Sequence, residues 1–202
     1  MLLFRSIFCK LGTYFATNRI MKKIVIAFIL VFTVNLISAQ DINWVSLEEA
    51  QELQKKTPKK IMIDMYTVWC GPCKLMDRIT FQNKNVVDYV NKHYYAVKFN
   101  AEGNDEVVFN GKPFANPNYD SGRAKTRNSP HQLTRYFGVQ AYPTVVFIDE
   151  DLKMLVPLRG VKKPQELELY LKMFKNNDHK NIKSQDAFTE YYKAFKPEFT
   201  EK

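Results

Sequence analysis

The chain alternates between short apolar, β-prone runs and stretches with helical spacing. The apolar runs predict strands at 61–66, 94–99, 144–148 and 153–158. Helical spacing, with capping residues at several starts, predicts helices at 46–55, 74–79, 85–90, 131–137 and 164–174. A strand, a helix and a second strand in this order predict a right-handed parallel crossover, and the run 153–158 is expected to return antiparallel. The pattern therefore predicts an α/β fold with a central sheet.

Two segments depart from this pattern. Residues 102–128 combine Gly, Pro, Asn and Asp without periodicity, which predicts an irregular insertion longer than most loops of compact domains. The insertion follows the strand 94–99, whose carboxyl end shares a sheet edge with the end of strand 61–66. It is therefore either an overhang that selects substrates or a tolerated surface loop.

The stretch 185–195 predicts an added amphipathic helix at the C-terminal end of the chain. Its aromatic residues fall at helical spacing. They either pack onto the domain or form a groove for a partner: Phe188, Tyr191, Tyr192 and Phe195.

Residues 1–39 have the character of a targeting segment. Met21 and two lysines are followed by the mostly apolar stretch 24–37 and a small-residue cleavage site at Ser38-Ala39. Because a membrane span needs about 20 apolar residues, we interpret 21–39 as a signal peptide and 1–20 as an upstream extension, with an uncleaved anchor as the alternative. We therefore predict a periplasmic or secreted protein, with one domain at 40–180 and a helical extension at 181–202.

The formal net charge of +9 depends partly on the same segment. Five of the 30 basic residues lie in 1–39, which contains no acidic residue, so 25 basic and 21 acidic residues remain, or +4. This balance gives no charge-based case for nucleic-acid binding. Phosphate loops, nucleotide fingerprints and metal-ligand boxes are not found in the sequence, so neither a cofactor nor a metal is expected.

The stretch Trp69-Cys70-Gly71-Pro72-Cys73 carries the candidate chemistry. Two thiols separated by two residues can close a small disulfide ring and open it again. The motif lies between a predicted strand and a predicted helix, whose first N–H groups have no intrahelical partner. Those donors and the positive end of the helix dipole favour a thiolate at Cys70. Cys73, in the first helical turn, is expected to be less exposed.

A structural disulfide or half of a zinc site is the alternative interpretation of these two cysteines. A closed zinc site needs four ligands, and the three histidines are widely scattered. Cys9, the third cysteine, precedes the predicted mature start. A single pair of closely spaced cysteines in an exported chain favours redox-active thiols over a small fold held together by several disulfides.

Residues 44–175 resemble the thioredoxin superfamily. The residues that carry the resemblance are the CGPC motif, Asp64 before it, Lys98 on the next strand, Tyr142-Pro143-Thr144 and Gly160. The resemblance implies a thioredoxin-like fold, with a central mixed sheet flanked by helices, an insertion before the cis-proline segment and an extra C-terminal helix. It also implies dithiol–disulfide exchange with protein disulfides as partners.

The resemblance implies roles for the remaining site residues. Asp64 is expected to be a buried carboxylate that accepts the Cys73 proton through a water, with Lys98 moderating its pKa shift. Pro143 is expected to be cis and to face the cysteines, leaving the preceding backbone free to pair with an extended substrate. The candidate substrate-binding residues are Trp69, Gly71, Pro72, Tyr142 and Pro143.

Arg78 departs from the thioredoxin pattern, which usually has a proline there. The run 73–81 is more similar to the C-terminal domain of the membrane reductase DsbD and to small exported thioredoxin-like proteins. We predict a protein-disulfide reductase that takes electrons from a membrane donor of the DsbD type, because an oxidising compartment supplies none. A disulfide oxidase or isomerase and a redox-inactive binding or chaperone domain are the alternatives.

Overall fold

The structure is a computed structural model, and it describes residues 41–201. Its strands are β1 (Trp44–Val45), β2 (Lys60–Tyr66), β3 (Tyr94–Asn100), β4 (Val107–Phe109), β5 (Lys112–Phe114), β6 (Thr144–Ile148) and β7 (Met154–Arg159). Five of them form one mixed sheet in the order β1-β3-β2-β6-β7. Strands β1, β3 and β2 are parallel, whereas β6 runs antiparallel to both β2 and β7. The predicted central mixed sheet is confirmed.

The helices are α1 (Leu47–Lys56), α2 (Gly71–Met76), α3 (Lys84–His93), α4 (Gln132–Tyr136), α5 (Pro164–Lys175) and α6 (Gln185–Ala194). A π-helical turn, Asp77–Phe81, continues α2, and short 3-10 turns lie at Ser121–Arg123 and Asp178–Lys180. Local caps start several helices: the hydroxyl of Ser46 accepts the N–H of Glu49 at 3.0 Å at the start of α1. The helices predicted from spacing are therefore present, although the motif helix does not stay α-helical to its end.

The core lies on both faces of the sheet. Side chains of β2 alternate between the faces: Met62 packs with α3 and α5, whereas Ile61 and Ile63 pack with α1 and α4. Residues 60–65 of β2 are all buried. A central strand covered on both faces has this near-continuous apolar sequence, and its carboxyl end leads directly to the CGPC motif.

The prediction of an irregular insertion is wrong for residues 107–114. Strands β4 and β5 form an antiparallel hairpin there. Both turn residues have positive φ, 50° at Asn110 and 73° at Gly111, which is the geometry of a type I′ turn. The hairpin docks on α1, because the Gln51 amide donates to the Val108 carbonyl at 2.8 Å and accepts the N–H of Asn110 at 2.8 Å.

The C-terminal residues pack against α5. The aromatic side chains of Phe188 and Tyr191 in α6 pack on the core, whereas Tyr192 is 57% exposed. Further along, Phe199 is buried, and the fully buried carboxylate of Glu168 accepts its backbone N–H at 2.8 Å. Of the predicted aromatic residues, Phe188 and Tyr191 therefore pack onto the domain. The chain after α6 is held to α5 by the hydrogen bond between Phe199 and Glu168.

The predicted signal peptide, residues 1–39, lies outside the described residues. In the part of the chain that is described, 41–201, no helix is both long and apolar enough to cross a bilayer.

Candidate active site

Cys70 and Cys73 form a disulfide at the start of α2. Cys70 is the N-cap residue of this helix, and its Sγ atom accepts the backbone N–H of Cys73 at 3.1 Å. Pro72 lies in the first turn, where a missing N–H costs no helical hydrogen bond. One backbone N–H of the helix start, that of Cys73, is therefore directed at the sulfur of Cys70, which is a geometry that stabilises a thiolate.

The expected difference in exposure between the two cysteines is not observed. Cys70 is 2% exposed and Cys73 is 3% exposed, while Gly71 and Pro72 between them are exposed. The prediction is wrong for the disulfide form because Cys70, the N-cap residue, is bonded to Cys73, which is itself buried in the first turn of the helix. A substrate approaching the sulfurs therefore meets the Gly-Pro segment and the flanking Trp69 first.

Asp64 and Lys98 are brought together by strand register, since they are direct partners in the parallel β2–β3 pair. Asp64 is 2% exposed, and its Oδ2 atom lies 3.7 Å from the Nζ atom of Lys98. Its Oδ1 atom has no hydrogen-bond partner among residues 41–201. Burial raises the pKa of Asp64 to about 7, and the Lys98 charge only partly offsets that effect.

Asp77 is a site residue that the sequence analysis missed. The Lys98 ammonium forms its shorter ion pair with Asp77 Oδ1, not with Asp64. The same ammonium lies over the rings of Trp44 and Tyr66, 5.4 Å and 5.2 Å from their centroids. After burial, the negative charge of Asp77 is a further cause of the raised pKa of Asp64. One lysine is therefore shared between two carboxylates.

Trp69 is held by the two ends of the insertion. Its indole N–H donates to Glu102 Oε2 at 2.7 Å, and the same oxygen accepts the backbone N–H of Asn128 at 2.8 Å. The Arg127 guanidinium lies over the indole ring, 4.9 Å from its centroid. The ring also meets Tyr142 edge-on, with 6.1 Å between centroids. Burial, followed by the Glu102 charge, raises the pKa of Tyr142 to about 12.

The Tyr142–Pro143 peptide bond is cis, as the resemblance implies. The β2–β6 pairing aligns Met65 with Thr144, so the buried Pro143 lies at the sheet edge from which β2 leads to Cys70. The Pro143 carbonyl accepts the N–H of Gly160 at 2.8 Å. Gly160 has φ of 79°, a conformation that favours glycine. These contacts fix the loop in front of β6.

His131 caps α4. Its Nδ1 atom accepts the Leu133 N–H at 3.0 Å, and its Nε2–H donates to the carbonyl of Asp105 at 2.8 Å. Burial lowers the pKa of His131. Since both ring nitrogens are engaged, His131 is a structural cap that fastens the start of the insertion.

Comparisons with known proteins agree with this architecture. A model of the thioredoxin-like domain family matches residues 47–175. The thiol-disulfide oxidoreductase ResA of Bacillus cereus is 24% identical over 174 residues, which cover 77% of this chain and 96% of ResA. The thiol:disulfide interchange protein DsbD of Campylobacter jejuni is 35% identical over 65 residues, or 32% of this chain and 11% of DsbD.

A solved thioredoxin-fold protein from Helicobacter pylori matches the fold with a TM-score of 0.53 and 21% identity. The match covers 67% of this chain and 81% of that protein. The family model spans well over half of the sequence, and the chain therefore belongs to the thioredoxin-like domain family.

Proposed function

We propose that this protein is an exported thiol–disulfide oxidoreductase that reduces protein disulfides through Cys70 and Cys73. The observation that carries the proposal is the Cys70–Cys73 disulfide at a helix start, with Cys70 Sγ accepting the Cys73 N–H. The relatives ResA and DsbD, which are named for thiol–disulfide chemistry, support the same class of reaction.

In the reduced protein, the Cys70 thiolate attacks one sulfur of a substrate disulfide. This step forms a mixed disulfide and releases the other substrate sulfur as a thiolate, which takes a proton from solvent. The Cys73 thiol then loses its proton, and its thiolate attacks Cys70 Sγ. The second substrate thiolate leaves, the Cys70–Cys73 disulfide forms, and two electrons have passed to the substrate.

Asp64 is the proposed acceptor of the Cys73 proton, acting through a water. A carboxylate with a pKa of about 7 is an effective general base near neutral pH, because it is often deprotonated yet holds a proton well. Lys98 and Asp77 are positioning residues in this proposal. The positive charge of Lys98 lowers the pKa of Asp64, whereas the negative charge of Asp77 raises it.

The proposed substrate surface surrounds the exposed Gly71-Pro72 segment. Trp69 and Tyr142 border it, and Pro143 precedes β6. The backbone of Tyr142 lies outside the β6 ladder, which begins at Thr144. It is therefore available to pair with an extended substrate segment, a form of strand addition.

The Gly-Pro pair in the motif favours the reducing side of the superfamily, and a membrane dithiol donor of the DsbD type would return two electrons to the disulfide. Export rests on the signal-like segment 21–39.

Insulin reduction with dithiothreitol tests the proposal. We expect turnover by the wild type, and none by Cys70→Ser or Cys73→Ser, with the exposed Thr57→Ser as a control that keeps full activity. A reduction potential below about −200 mV supports a reductase, whereas a value of about −120 mV indicates an oxidase. A disulfide that dithiothreitol reduces without any insulin turnover contradicts the proposal and favours a redox-inactive binding domain.

A further inference from the structure

The return arm of the insertion, residues 120–128, forms a closed loop that we call the basic loop. Its ends bind each other: the Asp120 N–H donates to Asn128 Oδ1 at 3.0 Å, and the Asn128 amide donates to the Asp120 carbonyl at 2.7 Å. Asp120 Oδ1 also accepts the Gly122 N–H at 2.9 Å and starts the 3-10 turn. The loop therefore owes its shape to its own hydrogen bonds.

The basic loop presents three cations to solvent. Arg123, Lys125 and Arg127 are exposed. Among the ion pairs of residues 41–201, none involves these three side chains. Asp120 is the only acidic residue of the loop, and one of its oxygens is engaged as a turn acceptor. The loop thus carries three positive charges that no ion pair among residues 41–201 engages.

The basic loop is fastened to the redox motif. The N–H of Asn128 and the indole N–H of Trp69 share the Oε2 atom of Glu102, which is 8% exposed. The Arg127 guanidinium covers the Trp69 ring at 4.9 Å. Trp69 directly precedes Cys70, so Arg127 brings positive charge of the loop to the point at which a substrate disulfide must approach.

We propose that the basic loop makes the enzyme prefer protein substrates with acidic residues next to their disulfide. This inference rests on the proposed function and names its substrate class. A single exposed ion pair contributes little to the free energy of binding. Clustered charge beside a reactive group nevertheless raises the rate of encounter with substrates of opposite charge and lowers it for substrates of like charge. Lys74, exposed in the motif helix, adds a positive charge on the same element as the cysteines.

A protein partner fits this surface better than an anionic membrane. Arg127 lies on the ring of Trp69, which meets Tyr142 edge-on. These rings and the exposed Gly71-Pro72 segment offer ring and backbone contacts to an extended polypeptide. The loop closes on itself and shows no amphipathic helix that could lie in a lipid interface.

The test measures the rate at which the reduced protein, residues 40–202, reduces three peptides. The peptides share one disulfide ring and differ only in flanking residues, which are Asp, Ser or Lys. At about 20 mM salt we expect the Asp-flanked peptide to react on the order of 10-fold faster than the Lys-flanked one. At about 500 mM salt the ratio should shrink to about 2-fold, because screening shortens the range of the charges.

Two triple variants separate the loop from net charge. In R123Q/K125Q/R127Q the Asp-to-Lys rate ratio should fall to about 2-fold at low salt. The matched control K180Q/K183Q/K196Q removes the same charge from three exposed lysines between residues 180 and 196 and should keep the wild-type ratio. A wild type without preference, or a loop variant that keeps the preference, overturns the inference.

The Ser-flanked peptide reports on the proposed function separately, because its reduction needs the dithiol and not the loop charges. Should no peptide react, the proposed function fails. In that case, fluorescence anisotropy tests the charge preference without any reaction. It measures how tightly the oxidised protein binds a labelled Asp-flanked peptide in which Ser replaces both peptide cysteines. Binding that the loop variant loses and the control keeps supports the inference, and equal binding by all three proteins overturns it. A loop variant that loses only its binding to phosphatidylserine vesicles also overturns it in favour of a lipid surface.

Discussion

Replacing Asp64 with Asn should stabilise the oxidised protein at alkaline pH. The carboxyl of Asp64 is 2% exposed, and burial raises its pKa from 3.8 to about 7. The folded state therefore holds this proton over a pH range in which the unfolded chain has released it. The resulting destabilisation is absent below the unfolded pKa of about 4, grows as the pH rises, and is complete above the folded pKa of about 7.

The magnitude follows from the size of the shift. Each pKa unit corresponds to about 1.4 kcal/mol, so a shift from 3.8 to about 7 destabilises the folded state by about 4 kcal/mol at alkaline pH. Asn is neutral at every pH and avoids this cost. The substitution does not leave Lys98 unpaired, because Asp77 remains its partner. Any cost of burying the amide is the same at both pH values and cancels in the comparison.

Urea unfolding of the oxidised wild type and of Asp64→Asn, at about pH 4 and about pH 8.5, measures the effect. The gain in unfolding free energy from the substitution should be larger at the higher pH by about 4 kcal/mol. The side chain of Asp151 is 77% exposed. In the control Asp151→Asn, the effect of the substitution on the unfolding free energy should therefore differ by less than about 0.5 kcal/mol between the two pH values. An equal gain at both pH values refutes the argument that burial raises this pKa.

Asp77→Asn should lower the pKa of Asp64, because a nearby negative charge is lost and Lys98 is no longer shared; carboxyl NMR titration measures the shift, and an unmoved midpoint contradicts it. Glu168→Gln should cost about 1.5–3 kcal/mol in urea unfolding, since a buried carboxylate accepts the N–H groups of the C-terminal tail. Faster proteolysis of that tail should accompany the loss. Gly111→Ala should destabilise the hairpin by about 1 kcal/mol, because φ at this position is 73°; unchanged stability refutes the turn assignment.

The strands and helices that build the site could be predicted from local pattern. The apolar run of β2 indicates burial on both faces, and the caps at Ser46 and at the CGPC motif mark helix starts. The hairpin β4–β5 also had a local signal, the Asn110-Gly111 pair directly after the apolar run 107–109, which the irregular composition of its surroundings obscured. These features depend on residues close together in sequence.

The electrostatic arrangement of the site could not be predicted in the same way. Asp77 follows Cys73 by one helical turn and has the pattern of a surface acid; only the position of β3 makes it the partner of Lys98. The contacts of Glu102 with Trp69 and Asn128 span long separations in the chain and follow no period. Tertiary packing decides them, as it decides the burial of Cys70.

Direct titration of the Cys70 thiol tests the central claim, that the start of α2 stabilises a sulfur anion at this position. Thiolate absorbance of a Cys73→Ser variant, followed against pH with the double variant Cys70→Ser/Cys73→Ser as the blank, reports the pKa of Cys70. We expect a midpoint of about 7, below the value of about 8.5 for a free cysteine, together with alkylation that follows the same curve. A midpoint at or above about 8.5 contradicts the account.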